Sequence, residues 1–141
     1  QDKLLFEGPA DVVIAPGSEG RMAILPHHTP LLATLNYGVL HVRYEGREEL
    51  FAIAGGVIEV RPDIVIVLAN VGENIDEIDV ARAEADKARA VDLLKEAPAP
   101  STEEYLAVDA ALRRSKLRLD AVRRYRRVGR KGLRIKSDKD I

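Results

Sequence analysis

The chain has 141 residues, of which 46% are hydrophobic, 32% charged and 4% aromatic, with no cysteine and no tryptophan. That length holds one domain with an appendage rather than two full domains, and the missing cysteines rule out a disulfide framework and a thiolate zinc site. The net charge of −1 conceals an asymmetry: residues 1–75 carry 5 basic and 10 acidic side chains, 76–99 carry 4 and 7, and 100–141 carry 13 and 6.

The first residues, Gln1 to Phe6, lack the basic and hydrophobic regions of a signal peptide, and the absent initial Met points to a start inside the gene product. No apolar run reaches the ~18 residues of a membrane-spanning helix. A soluble protein of a reducing, cytoplasm-type compartment is the expectation. To about residue 70, glycine, proline or asparagine recurs every eight to twelve residues. Between them lie short β-rich runs: Val12–Ile14, Arg21–Leu25, Val39–Tyr44, Leu50–Ala54, Val57–Val60 and Ile64–Ala69. Val39–Tyr44 alternates, with Leu40, Val42 and Tyr44 on one face and His41 and Arg43 on the other. Period two with frequent turns predicts antiparallel strands in a sandwich or barrel. Gly55-Gly56 reads as a turn or bulge between two of the runs.

After Asn70 the pattern changes. From Ile78 to Glu96 there is neither glycine nor proline, and Ile78, Ala81, Ala85, Ala88 and Val91 fall at helical spacing, which predicts a narrow apolar face. Asp76 and Asp79 stand where a cap or first-turn carboxylate favours the helix dipole. Ala97-Pro98-Ala99-Pro100 stops this helix, and Ser101 with Glu104 has the spacing of a capping box for the next. The second helix runs to about Val128 with a heptad-like seam of Tyr105, Val108, Leu112, Ser115, Leu119 and Val122. Gly129 and Gly132 end it. The fold class is therefore α+β: an antiparallel β-sandwich over 1–75, a two-helix hairpin over 76–128 and a charged, mobile tail over 129–141. Small side chains bury little apolar surface against an ordering cost of ~1–2 kcal/mol per residue, so the hairpin reads as a moving part.

No P-loop, H-E-x-x-H or G-x-S-x-G pattern occurs, and His27-His28 has no further ligand nearby, so no catalytic residue and no metal site is assigned. Two constellations carry chemistry. Glu73 with Asp79, Arg82, Asp86 and Arg89 lines one helix face, either as an anion or nucleotide site, where arginine forks match phosphate oxygens, or as a ladder of intrahelical ion pairs. The second helix carries Arg113, Arg114, Arg118, Arg123, Arg124, Arg126 and Arg127, like charges that repel unless a counter-charged partner meets them. That partner is an acidic protein surface or, in the alternative reading, nucleic acid, although no aromatic residues interleave for base stacking.

The run from Gly17 to Leu32, GSEGRMAILPHHTPLL, resembles the G-x-x-G-x-x-G-I-L-P-G-H-x-P-L-L stretch of the ε subunit of F-type ATP synthase. Ala54–Asp63, AGGVIEVRPD, followed by Val65–Ala69 is similar to that family's second signature. Arg21, Ala23 and His27 depart from the first pattern. The resemblance extends to about Val128 and implies a ten-stranded sandwich in the central stalk, bound to γ and resting on the c-subunit ring, with Arg21 and His28 as ring contacts. It implies a non-catalytic subunit, peripheral on the cytoplasmic face of a bacterial cell membrane, that helps couple proton-driven rotation to ATP synthesis. The family's hairpin lies folded on the sandwich or extends into the catalytic head to inhibit ATP hydrolysis; that role falls to Arg113, Arg123, Arg124, Arg126 and Arg127 against acidic β (and α) subunit surfaces. Ile78-Asp79-Val80-Ala81-Arg82-Ala83 matches the I/L-D-x-x-R-A motif of members that bind ATP. The same resemblance marks Glu73, Ile78, Asp79, Arg82, Arg89, Arg114 and Arg118 as a candidate regulatory ATP site. No cofactor is required.

Overall fold

The computed structural model describes residues 3–96 and 99–126. Seven strands form one antiparallel sheet: β1 (Lys3–Gly8), β2 (Val12–Gly17), β3 (Gly20–Ile24), β4 (Leu31–Tyr44), β5 (Arg47–Val60), β6 (Val65–Ala69) and β7 (Gly72–Asn74). Their order is β1-β6-β5-β4-β2-β3, with β7 paired to β5. The long hairpin β4–β5 organises the rest. Its turn is Glu45-Gly46, both at positive φ (50° and 76°), the twist that matches paired strands. Asp11 accepts a hydrogen bond from the Glu45 amide at 2.9 Å and pins that turn.

Strand periodicity then sorts side chains into two layers. Leu40, Val42, Phe51 and Ile53 enter the main core with Val13, Ile58 and Val67. Val39, His41, Leu50 and Ala52 take the opposite face, and there Ala52 packs with Ile75, Ile78 and Ala121. Full burial of Leu40, Ile53 or Ile58 contributes about 1.5–3 kcal/mol each.

The strand count corrects two expectations. Leu50–Ala54 and Val57–Val60 are one continuous strand, and Gly55-Gly56 lies inside it rather than at a turn. Gly56 sits at φ 154°, and a Cβ there would stand 2.2 Å from the Leu68 carbonyl oxygen, so glycine lets β6 approach β5. Among the described residues the sheet has seven strands rather than the ten that the resemblance implies.

A 3₁₀ turn, Ile75–Glu77, capped by the Asn74 side chain, leads into α1 (Val80–Glu96). Asp79 caps α1, its Oδ1 accepting from the Arg82 amide at 3.1 Å. α2 (Glu103–Ala121) continues into a π turn, Val122–Arg126. Thr102, not Ser101, caps α2: its hydroxyl accepts from the Tyr105 amide and donates to the Ala99 carbonyl. The seam expected on α2 is the one observed, with Leu112 and Ser115 buried and the others half-buried. The face expected on α1 is not. Ala81, Ala85 and Ala88 are exposed, whereas Ala83 and Ala90 are buried with Val80, Val91 and Leu94 half-buried beside them. An alanine-rich helix offers several equivalent stripes, and the direction of the connector selects among them. Ala97, Pro98, Arg127, Val128 and the 129–141 tail lie outside the described residues.

Candidate functional site

The helices and the outer face of β5 enclose a cavity of about 380 Å³. Ala52 and Ala54 form its floor, Leu93 and Ala90 one wall, and Val108 and Ala111 the other. Four of the seven residues expected in a nucleotide site line it together: Glu73 from β7, Arg89 from α1, and Arg114 and Arg118 from α2. The helical spacing of Arg114 and Arg118 aims both guanidiniums at the same opening. Ile78, Asp79 and Arg82 do not line it. Ile78 is buried in the connector, Asp79 is spent on the helix cap and Arg82 is exposed.

Two of the three arginines in the cavity, Arg89 and Arg118, are already paired with carboxylates. Arg118 donates from Nε and Nη2 to the two Glu73 oxygens, the second at 3.4 Å. Asp86, part of the helix-face constellation but not of the seven residues that the resemblance marks, reaches Arg89 at 3.6 Å and Arg118 at 3.8 Å. Both carboxylates occupy the forks that a phosphate would take. With three arginines against two carboxylates, the lining keeps a single positive excess. The volume falls in the range of small-molecule pockets, about 300–1,000 Å³.

A second polar cluster holds the hairpin onto the sandwich. Arg126 Nη2 donates to the Ile75 carbonyl and, at 3.0 Å, to the Ile78 carbonyl. The neighbouring Tyr125 ring stands edge-on to His41, centroids 5.0 Å apart at 82°. His41 Nδ1 lies 3.3 Å from Glu48 Oε1, which also accepts from Arg43 Nε at 3.3 Å. Burial holds the His41 imidazole below its ordinary pKa of 6.5; the hydrogen bond and charge of Glu48 oppose this, while Arg21 and Arg43 reinforce it. Sequence reading missed this cluster, because strand alternation placed His41 on the outer face and nothing local shows that a helix covers it.

The arginines expected to meet a partner are spread over several roles. Arg113 stacks 4.3 Å over the Tyr37 ring, Arg123 pairs with Asp120 at 2.8 Å, and Arg126 is the docking anchor. Arg124 lines a groove of about 400 Å³ between α2 and the sandwich, opposite Arg21, and Arg127 lies outside the described residues. Among the described residues, such dispersal does not make the continuous phosphate-tracking stripe that the nucleic-acid alternative needs. Arg21 and His28, read as one contact, fall on different features: His28 is half-buried beside the Arg61–Ile64 turn, with Nδ1 2.7 Å from the Thr29 carbonyl. Leu25 and Leu32, on either side of His28 in sequence, are 59% and 71% exposed.

Comparison with known proteins adds two family matches in chain order. Residues 1–75 match the family described as ATP synthase, Delta/Epsilon chain, beta-sandwich domain, and residues 76–123 match the corresponding long alpha-helix domain. An ATP synthase epsilon chain from Dehalococcoides mccartyi is 40% identical over 132 residues, 89% of each chain. One from Herpetosiphon aurantiacus is 38% identical over 122 residues, 86% of this chain and 88% of that one. A chain in the cryo-EM structure of Euglena gracilis mitochondrial ATP synthase (OSCP/F1/c-ring) shares the fold, with a TM-score of 0.67 at 22% identity over 80% of this chain and 70% of that one.

Proposed function

Because this chain belongs to the ATP synthase epsilon-chain family, we propose that it serves as a non-catalytic part of the central stalk whose helical arm regulates ATP hydrolysis. In this reading the sandwich, residues 1–75, binds the γ subunit and the c-subunit ring, helping to couple proton-driven rotation to ATP synthesis. The exposed Leu25 and Leu32 around His28 suit an apolar partner surface. The hairpin, residues 76–128, exchanges between the sandwich and the catalytic head. There Arg123, Arg124 and Arg127, with Arg113, would face acidic surfaces of the β and α subunits. No helix among the described residues is long and apolar enough to cross a membrane. The chain would sit peripherally on the cytoplasmic face of a bacterial cell membrane, held through its partners.

The observation that carries the regulatory part is the docking interface. Its buried apolar residues are Ala52, Ile75, Ile78 and Ala121. Two of these belong to the connector rather than to the arm; half-buried Leu117, Val122 and Tyr125 of the arm pack around them against Val39 and Leu50, and Arg126 adds its two hydrogen bonds. Such an interface is strong enough to hold and weak enough to release. ATP, bridging α1 and α2 through Arg89, Arg114 and Arg118, would stabilise only the docked arrangement and so relieve inhibition.

The test is to rebuild the rotary complex, depleted of this subunit, with wild-type chain or variants. Arg126→Ala removes two charge-assisted hydrogen bonds worth about 1.5–3 kcal/mol each, shifting the arm off the sandwich. Hydrolysis falls. Joint replacement of Arg123, Arg124 and Arg127 by alanine weakens the grip on the head, and hydrolysis rises. Equal hydrolysis with all three chains, or failure of the chain to join the complex, overturns the reading.

A further inference from the structure

His41 is 6% exposed, and the Glu48 side chain beside it is 4% exposed. Each retains a buried atom with no hydrogen-bond partner, His41 Nε2 and Glu48 Oε2. Nδ1 faces the Glu48 carboxylate and so carries the proton of the neutral ring, which leaves Nε2 as a bare acceptor. Protonation would turn Nε2–H into a buried charged donor with nothing to accept it. An unmatched buried donor is costly, and a charged one more so.

The surroundings decide which state of the arm bears that cost. Glu48 on β5, Arg43 on β4 and Arg21 on β3 all belong to the sandwich and remain with His41 whether or not the arm is docked. Docking adds the Tyr125 ring and, beside it in the chain, Arg124 and Arg126, whose side chains carry donors and no acceptor. Undocking uncovers the ring, lets water accept from Nε2, and keeps the Glu48 carboxylate that favours the charge.

We infer that His41 and Tyr125 form a protonation-controlled latch: the docked arm tolerates only the neutral imidazole, so acidification releases the hairpin from the sandwich. The sign follows from linkage. Burial lowers the docked pKa beneath 6.5, and exposure next to Glu48 restores or raises it, so undocking takes up a proton. Docking is intact above the undocked pKa and weakens as pH falls, by at most about tenfold per pH unit, until the docked pKa is passed. The regulatory meaning rests on the mobile-arm reading above: the released arm is the inhibitory one, so hydrolysis is restrained as the surrounding medium acidifies.

The measurement is amide hydrogen exchange across α2 in the full chain between about pH 5.5 and 8, corrected for intrinsic exchange chemistry. Wild type is expected to lose protection below about pH 6.5, up to about tenfold per unit, and His41→Gln to show a flat profile. An NMR titration of the His41 ring in wild type and in Arg126→Ala gives a readout independent of that substitution. The titration should sit lower in the wild type. A pH-independent opening in wild type, the same slope in His41→Gln, or coincident titrations overturn the latch and leave the mobile arm standing. Opening of α2 only by global unfolding at every pH overturns the mobile arm and the latch with it.

Discussion

Asp86 makes the nucleotide reading quantitative. Its carboxylate lies 3.6 Å from an Arg89 nitrogen and 3.8 Å from one of Arg118, inside the cavity that a phosphate would enter. Two unit charges at such distances attract by about 4 kcal/mol at an effective dielectric of 20. Asp86 is 34% exposed and Arg89 70%, so screening brings each pair down to about 0.5–1 kcal/mol. An incoming phosphate must displace that carboxylate or sit against it. Asp86→Ala should therefore tighten ATP binding by about 1–2 kcal/mol, or about 5- to 30-fold. Glu73 does not substitute for it, because Glu73 ties Arg118 to the sandwich and so helps to build the cavity. Isothermal calorimetry on the full chain should show Asp86→Ala binding tighter than wild type and Arg118→Ala weaker by at least about tenfold, with both differences shrinking at high salt. An Asp86→Ala affinity equal to or below wild type, with the hairpin still docked, would refute the account of Asp86 as an internal competitor. Absence of heat from all three chains at millimolar ATP would refute the nucleotide site itself.

Two further outcomes test the framework beneath that site. Gly56→Ala places a methyl 2.2 Å from the Leu68 carbonyl oxygen at a φ of 154°, so the β5–β6 pairing must open. Urea unfolding should show a loss of at least about 3 kcal/mol, and an unchanged midpoint would mean the strands have room to spare. Thr102→Ala removes both the cap on the Tyr105 amide and the hydrogen bond to Ala99, costing α2 about 1 kcal/mol. Hydrogen exchange should locate the loss in the first turn of α2, and an equal loss in the sandwich would contradict a local cap.

The sandwich was readable because its signals are local: β-rich runs, the alternation of Val39–Tyr44, and glycines between strands. The errors fall where a local signal has two meanings. Glycine marks turns, yet Gly55 and Gly56 lie inside β5, where what matters is how closely Leu68 and Asn70 approach. The same ambiguity misled the reading of α1. Alanine carries too little surface to point a helix, so the spacing of Ala81, Ala85 and Ala88 does not show that Ala83 and Ala90 are the ones buried. The side chain that settles the matter is Ile78, expected as the first residue of that stripe. It instead anchors the connector and presents its carbonyl to Arg126.

The same distinction explains the site. Arg89 was identifiable from helical spacing and Arg114 and Arg118 from the resemblance to ATP-binding members, and the three do converge on one cavity. What spacing cannot give is occupancy across elements. The Asp86–Arg89 pair is the intrahelical ladder that spacing also allowed, while only the assembled helices show that Glu73 and Asp86 both converge on Arg118. His41 is the extreme case. On its strand it is a polar residue on the outer face, as alternation requires, and in the whole molecule that face is an interface. Its two neighbours in the covering turn have opposite consequences for the arm. Arg126 ties the arm down through hydrogen bonds to two backbone carbonyls, whereas Tyr125 covers an imidazole, the side chain that changes charge near neutral pH. The docked state therefore combines a constant anchor with a titrating one. Raising the proton concentration removes only the second, so acid shifts the population of docked arms by a bounded factor rather than abolishing docking.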